Sequence, residues 1–271
     1  MAEYPMNITV ICSICLEGGL IRYKNILSDF SKDDLDFIHE WNRSLKRTIN
    51  QPEFKQYMDS KYRIMLNLPA TTLSRILDKV AVPYRSYHYA KRFLDSYNFV
   101  SRKARDQGLV NVVDFGRGLS PWGHIVKNAN PNVEMFTFDK PETNVVFQSV
   151  SEKMNLAVPH FNEDPKNIVF DRDIFVSLGT LTYLKKEDQF AKIQYASKNF
   201  RNLFIEFDKL NSGVPDGNIV KNMGAAYGSG FSYNDIINAV GKDLYFSIKE
   251  LKNNRVLIPA VKDAVEMFLV R

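Results

Sequence analysis

Cysteine is scarce in this chain: its 271 residues include only two cysteines, Cys12 and Cys15. A single Cys-x-x-Cys pair could be a redox pair or half of a zinc site. A zinc site needs about two more ligands, and none of the four histidines stands at metal-ligand spacing. We therefore expect no metal site and interpret the pair as buried packing. Two thiols without a disulfide framework predict a reducing, cytoplasmic location.

Long hydrophobic runs and long basic runs are also missing. The apolar run Ile8–Leu16 is shorter than the roughly 20 residues that span a bilayer, and no basic region precedes it. We expect neither a membrane span nor a signal peptide. The net charge is +5, but no run of Lys and Arg reaches five residues. The charge therefore indicates a solvated surface rather than a dedicated nucleic-acid interface.

After Gly108 the sequence alternates short apolar segments with helical segments. This alternation predicts an α/β fold with a mostly parallel, Rossmann-like sheet. The predicted parallel strands are Val110–Phe115, Val133–Phe138, Ala157–Phe161, Ile174–Leu178 and Asn202–Phe207. Two further segments, Leu244–Leu251 and Ala264–Val270, predict an antiparallel C-terminal hairpin with a turn and loop between its strands. We thus expect seven strands.

Residues 1–105 predict a helical N-terminal lobe. Ser31 and Asp34 form an N-terminal capping pattern, and apolar residues then recur at helical spacing. Pro52, Pro69 and Pro83 separate this helix from three further predicted helices. The chain therefore divides into a helical lobe, 1–105, and an α/β domain, 106–271.

The segment Val-Asn-Val-Val-Asp-Phe-Gly-Arg-Gly, residues 110–118, predicts a ligand-binding turn. A strand ends near Asp114, glycines follow as Gly116 and Gly118, and a helix is predicted from Pro121 to Asn128 with Ser120 as its cap. Glycines let backbone approach a ligand, and a helix start offers free N–H groups. The dinucleotide fingerprint would need glycine where Pro121 stands, and no Gly-Lys-Ser/Thr follows, so neither standard phosphate motif is present.

An acidic residue ends the second predicted strand. Asp139 lies 25 residues beyond Asp114, where an acid can accept hydrogen bonds from both hydroxyls of a ribose. It could also cap the helix that Pro141 opens, and both roles can coexist. Asp114 would repel a phosphate but suits an ammonium group. A nucleoside that carries an amino acid satisfies these features, and that ligand is S-adenosylmethionine.

At these residues the chain resembles the class I S-adenosylmethionine-dependent methyltransferases, over about residues 85–271. Asp114-Phe-Gly-Arg-Gly is similar to their first motif and Phe138-Asp139 to their second. The resemblance implies a set of cofactor-binding residues after the first, second, third and fourth strands. They are Asp114, Gly116, Arg117, Gly118, Asp139, Lys140, Glu163, Asp164, Leu178 and Gly179. Arg85, on the helix before the first strand, could clamp the cofactor carboxylate or lie on a solvated helix face.

A closer resemblance is to the leucine carboxyl methyltransferase and polyketide O-methyltransferase group. The segments that carry it are Gly116-Arg-Gly-Leu-Ser120, Asp139-Lys-Pro-Glu142 and Gly179-Thr-Leu-Thr-Tyr-Leu184. Ser120 and Leu178 stand where that group tends to have acidic residues. The resemblance implies O- or carboxyl-methylation of a small-molecule acceptor, with 1–105 as the substrate-binding cap.

Three other functions stay open. The glycine–proline turn is loosely similar to that of nicotianamine synthases, which transfer the aminobutyrate arm of the same cofactor during opine-metallophore synthesis. A non-catalytic binding protein on a degenerate methyltransferase fold is the second alternative. The basic charge leaves RNA methylation as the third.

Methyl transfer needs an acceptor aligned with the sulfonium and a site that excludes water. An alcohol or amine acceptor also needs a nearby base, and Tyr183 and His124 are the candidate catalytic residues. The partners expected are a small-molecule acceptor and, as an open alternative, a second copy in a homodimer.

Overall fold

A computed structural model gives the fold of this chain over most of its central part. It describes residues 31–49, 51–53, 56, 83–116, 120–139, 141–153, 160–162, 173–178, 180–181, 184–208, 233–240, 245–246, 249–250 and 255–261. Within these residues, no helix combines the length and the apolar character that crossing a membrane requires.

Helices and strands alternate along the described chain. The helices are α1 (Lys32–Ile49), α2 (Pro83–Gln107), α3 (Trp122–Ala129), α4 (Pro141–Lys153), α5 (Lys186–Asn199) and α6 (Tyr233–Val240). The strands are β1 (Val110–Phe115), β2 (Val133–Phe138), β3 (His160–Asn162), β4 (Ile174–Ser177), β5 (Asn202–Asp208), β6 (Tyr245–Phe246), β7 (Lys249–Glu250) and β8 (Arg255–Val261).

One sheet contains all of these strands, in the order β3-β2-β1-β4-β5-β8-β6, and β7 also pairs with β8. Strands β1 to β5 are parallel. Strand β8 runs antiparallel to β5 and to both β6 and β7. The expected α/β fold with a parallel sheet is confirmed, and the exact count of seven strands stays a prediction.

The last strand lies where the sequence indicated a loop. Strand β8, Arg255–Val261, pairs with β5 over seven residues, so the loop expected there is wrong. Proline lacks the N–H that a ladder uses, and Pro259 lies opposite Phe204 in the middle of this strand. Strand β8 pairs with β5 on one side and with β6 and β7 on the other, and this pairing outweighs the preference of proline against a central strand. The expected strand Ala264–Val270 lies outside the described residues.

Each face of the sheet packs against a different set of helices. One face joins Val112 and Val176 to buried side chains of α1, α2 and α3. The other joins Val113 and Phe175 to buried side chains of α5 and α6. This division follows from the alternation of side chains along a strand. It buries apolar side chains on both faces, as a parallel sheet requires.

The described part of the predicted N-terminal lobe packs directly on the sheet. Phe99 of α2 contacts Phe204 of β5, with ring centroids 5.6 Å apart. Helix α1 adds Trp41, whose ring lies 4.4 Å from that of Phe93. These residues share one hydrophobic cluster with β1 and β4. Helices α1 and α2 are therefore continuous with the core, and the division at residue 105 stays a prediction.

Hydrogen bonds join the residues at and before the strand starts along the amino edge of the sheet. The Asn111 backbone N–H donates to Asp173 Oδ2 at 2.9 Å, and the Asn202 N–H donates to the Asp173 carbonyl at 2.8 Å. Asn132 Nδ2 donates to the Gly108 carbonyl at 2.6 Å. These bonds satisfy backbone groups where β1, β2, β4 and β5 begin. The opposite, carboxyl edge is where a parallel α/β sheet binds its ligand.

An ion pair joins residue 53 to α4. The Lys153 ammonium donates a hydrogen bond to the Glu53 carboxylate, and this bond holds the pKa of the Glu53 carboxyl below its ordinary value. The ion pair therefore contributes its full stabilisation of the folded protein at pH values above the ordinary glutamate pKa. This contribution is lost as the pH falls through the lowered pKa of Glu53.

We expect an NMR titration of the Glu53 side chain to report a pKa below that of a free glutamate. In Lys153→Met the hydrogen bond is lost, so the pKa should rise toward the ordinary value. An equal midpoint in the two proteins would contradict the ion pair. Glu152→Gln, one residue earlier, is the control and should leave the Glu53 midpoint unchanged.

Candidate functional site

Three strand ends meet at the carboxyl edge of the sheet. Gly116 follows β1, Asp139 follows β2, and Leu178 and Thr180 follow β4. Parallel pairing of β1 with β2 and with β4 sets these ends side by side. The structure therefore brings together residues that the sequence placed after the first, second and fourth strands.

Gly116 is the point at which the chain turns out of β1. Its φ is +70°, a backbone conformation that favours glycine. Its N–H donates to the carbonyl of Phe138 at 2.7 Å, which continues the β1–β2 pairing past the last residue of β1. The turn is therefore fixed to the end of β2, next to Asp139.

Thr180 holds the same turn from the other side. Its hydroxyl donates to the Gly116 carbonyl, and a β-carbon on Gly116 would collide with the Thr180 side chain. Thr180 is only 5% exposed. Thr180 belongs to the segment 179–184, but its contact with Gly116 could not be predicted from the sequence, because no local pattern pairs two residues that are 64 positions apart.

Asp114 places a carboxylate under the turn. It is 4% exposed and lies in register with Thr137 on β2 and Val176 on β4. Side chains alternate along a strand, so Asp114 faces the same side as Val112, toward α1, α2 and α3. A buried carboxylate at this edge suits a cationic group of a ligand.

Asp139 is partly buried at the end of β2. Asn144, in the second turn of α4, donates from Nδ2 to the Asp139 carbonyl at 3.2 Å. Asn144 Oδ1 is buried and has no hydrogen-bond partner within the described parts of the chain. Asn144 was not among the predicted site residues, although an amide early in the helix after an acidic strand end is a usable signal.

The helix after the glycine turn starts beside this site. The Ser120 hydroxyl accepts a hydrogen bond from the Trp122 N–H at 3.2 Å, so Ser120 stabilises the helix start as expected. Helix α3 begins at Trp122 rather than at the expected Pro121, which is its N-cap residue. Trp122 Nε1 donates to the Phe93 carbonyl at 3.1 Å, which joins α3 to α2 at this edge.

His124 lies between two helices. It is 2% exposed, its ring stacks on that of Phe147 at 4.5 Å, and its Nε2 lies 3.0 Å from the Ser151 hydroxyl. These contacts with α4 are typical of a packing residue. A catalytic role for His124 stays a prediction, and the contacts described for this ring do not favour it.

Several predicted site residues cannot be placed on this edge in detail. Arg85 lies in the first turn of α2, eight residues before Phe93, and only its backbone is described. The remaining ones lie outside the described residues: Arg117, Gly118, Lys140, Glu163, Asp164, Gly179 and Tyr183. Their roles stay predictions.

A cleft of about 850 Å³ lies elsewhere, between α1, α2 and α3. Charged side chains line it, among them Asp36, Asp95 and Arg105. It contains none of the predicted site residues. Because it includes the C-terminal end of α3, it lies toward the amino edge rather than the ligand-binding edge. Within the described ranges, no group of three or more His, Cys, Asp or Glu could hold a metal ion.

Comparison with known proteins gives structural likeness without sequence likeness. No family model matches the chain, and no curated protein matches it. Among solved structures, magnesium protoporphyrin IX methyltransferase from Synechocystis PCC 6803 with bound S-adenosylmethionine is 14% identical, with a TM-score of 0.52 over 80% of this chain and 97% of that one. The same enzyme with S-adenosylhomocysteine is 16% identical, with a TM-score of 0.51 over 80% of this chain and 99% of that one.

The described chain thus has the fold of the S-adenosylmethionine-dependent methyltransferases, as the resemblance in its first two motifs predicted. At this level of identity the likeness concerns the fold. The finer resemblance, to the leucine carboxyl and polyketide O-methyltransferase group, stays a prediction.

Among the described residues, Gly108 and Gly116 have a positive φ, and their substitution tests the geometry of the turn. Gly108 has a φ of +80° and open space where a β-carbon would lie. At Gly116 the Thr180 side chain occupies that space. We expect Gly108→Ala to cost roughly 1–2 kcal/mol of unfolding free energy, from backbone conformation alone. Gly116→Ala should cost a further 1–3 kcal/mol or so from overpacking.

Urea unfolding of both variants measures the difference. Equal losses would contradict the contact between Gly116 and Thr180, because Gly108→Ala already contains the conformational cost.

Proposed function

We propose that this protein is an S-adenosylmethionine-dependent methyltransferase that acts on a small-molecule acceptor. The observation that carries the proposal is the carboxyl edge, where the Gly116 turn is hydrogen-bonded to the end of β2 beside Asp139. The fold supports it, since the parallel strands β1 to β5 and the antiparallel strand β8 form one sheet and the chain shares its fold with a methyltransferase solved with S-adenosylmethionine. Strands β6 and β7 pair with β8 in one register, which supports a seven-stranded sheet.

The residues present fit the proposed cofactor. Asp139 offers carboxylate oxygens for the two ribose hydroxyls, Asp114 offers a buried carboxylate for the ammonium group, and Gly116 provides a turn without a side chain. The structural neighbours from Synechocystis were solved with S-adenosylmethionine and with S-adenosylhomocysteine, which supports the same cofactor here.

When bound, the cofactor supplies an electrophilic methyl group on a sulfonium. The chain's task is then to bind, to align the acceptor and to exclude water. Leu178 and Leu181, both buried, provide an apolar boundary after β4. A carboxylate or phenolate acceptor needs little help from a base, so O- or carboxyl-methylation suits a site in which His124 packs between helices.

Acceptor binding is assigned to the N-terminal helical lobe and to the segment 179–184, with Tyr183 as the candidate base. The end of β4 lies next to the turn at Gly116, because β4 pairs with β1 and Thr180 is bonded to Gly116. This proximity supports the assignment. A cytoplasmic location and a homodimer remain part of the proposal.

Asp139→Ala should weaken binding of S-adenosylhomocysteine, because two charge-assisted hydrogen bonds to the ribose would be lost. We expect the dissociation constant to rise roughly 10- to 100-fold, measured by isothermal titration calorimetry. Asp106→Ala, an exposed acid in the last turn of α2, is the matched control and should bind like the wild type. Unchanged affinity in Asp139→Ala would contradict the ribose assignment.

Product analysis separates the candidate reactions. The wild-type protein is incubated with S-adenosylmethionine and a panel of small phenols and carboxylic acids, and the cofactor product is identified by mass spectrometry. We expect S-adenosylhomocysteine. Methylthioadenosine would instead assign aminobutyrate transfer, and failure to bind the cofactor at all would assign a non-catalytic binding protein.

A further inference from the structure

We propose that Thr180 is a positioning residue: its hydroxyl fixes the turn at Gly116, to which cofactor binding is assigned. The inference rests on the proposed function, because it assigns a cofactor to the turn at Gly116. It concerns a residue of the segment 179–184 to which the sequence motifs assigned no role, and it explains why the turn has glycine at position 116.

Gly116 is held at both of its backbone polar groups, the N–H and the carbonyl. Its N–H donates to the Phe138 carbonyl at 2.7 Å, and its carbonyl accepts from the Thr180 hydroxyl. Because a peptide unit is planar, holding the carbonyl also fixes the plane of the peptide bond that follows Gly116. The direction in which the turn leaves β1 is therefore set by a residue that follows β4.

The Thr180 side chain has two separable contacts with the turn. Its hydroxyl makes the hydrogen bond, and its Cγ2 methyl occupies the space beside the Gly116 α-carbon. Thr180→Val keeps the shape and removes the hydroxyl, whereas Thr180→Ser keeps the hydroxyl and removes the methyl. The pair of variants therefore separates the hydrogen bond from the packing.

A nearby hydroxyl offers a matched control. Ser177, at the end of β4, is fully buried, and its hydroxyl has no hydrogen-bond partner within the described residues. It lies three positions before Thr180 but makes no bond to the turn. Removing it should not alter the conformation of Gly116.

The hydrogen bond has a consequence for cofactor affinity. In Thr180→Val the Gly116 carbonyl loses its partner, so the turn becomes free to rotate away from the conformation that the cofactor needs. A bond of this kind contributes on the order of 1 kcal/mol. We therefore expect the dissociation constant for the cofactor to rise about 5- to 10-fold.

The test is calorimetric titration of S-adenosylhomocysteine into the full chain, with thermal unfolding measured on the same samples. The proteins are the wild type, Thr180→Val, Thr180→Ser, Ser177→Ala and Gly108→Ala. We expect weaker binding in Thr180→Val, near wild-type binding in Thr180→Ser and wild-type binding in Ser177→Ala. Gly108→Ala should lose stability without losing affinity, which separates a binding effect from general destabilisation. If Thr180→Val does not fold, Thr180→Ala takes its place as the variant without a hydroxyl.

Two outcomes would overturn the inference while leaving the proposed function intact. One is wild-type affinity in Thr180→Val. The other is a loss in Thr180→Ser that equals or exceeds the loss in Thr180→Val, because Thr180→Ser keeps the hydroxyl to which the effect is assigned. Absence of binding by the wild type would overturn the proposed function itself, and the inference with it.

Discussion

The conformation of Gly116 is the constraint on which the carboxyl edge of this protein depends. Its positive φ turns the chain out of β1, its N–H is bonded to the end of β2, and its carbonyl is bonded to Thr180 after β4. A side chain at this position would strike Thr180. The turn, the end of β2 and Thr180 after β4 are therefore held together by hydrogen bonds.

The amino and carboxyl edges of the sheet have different kinds of contacts. At the amino edge, Asp173 and Asn132 bond backbone groups at or next to the starts of strands. At the carboxyl edge, Asp114 and Asp139 lie near Gly116, which has no side chain. The bond from Trp122 to Phe93 joins α3 to α2 near the carboxyl edge, and the bond from Asn132 to Gly108 joins the start of β2 to the end of α2 near the amino edge.

Much of this organisation could be predicted from the sequence. Strands β1 and β2 have the predicted bounds, because their apolar runs begin and end within a few residues of turn signals. The glycine turn and the acidic strand end were also recognisable, since each is a local pattern. Strand β8 was not, because Pro259 argues locally against a strand and only pairing with β5 outweighs it. His124 was named for its residue type, whereas its stacking on Phe147 depends on how α3 meets α4.

The sequence by itself determined the alternation of helices and strands and the residue types at the glycine turn, because these depend on neighbours within a few positions. The tertiary structure decided which of those residues meet. Thr180 and Gly116 are 64 positions apart, and their bond exists because parallel pairing places β4 beside β1. Long-range pairing is selected by burial of the whole sheet between its helices, and no short segment of sequence contains that information.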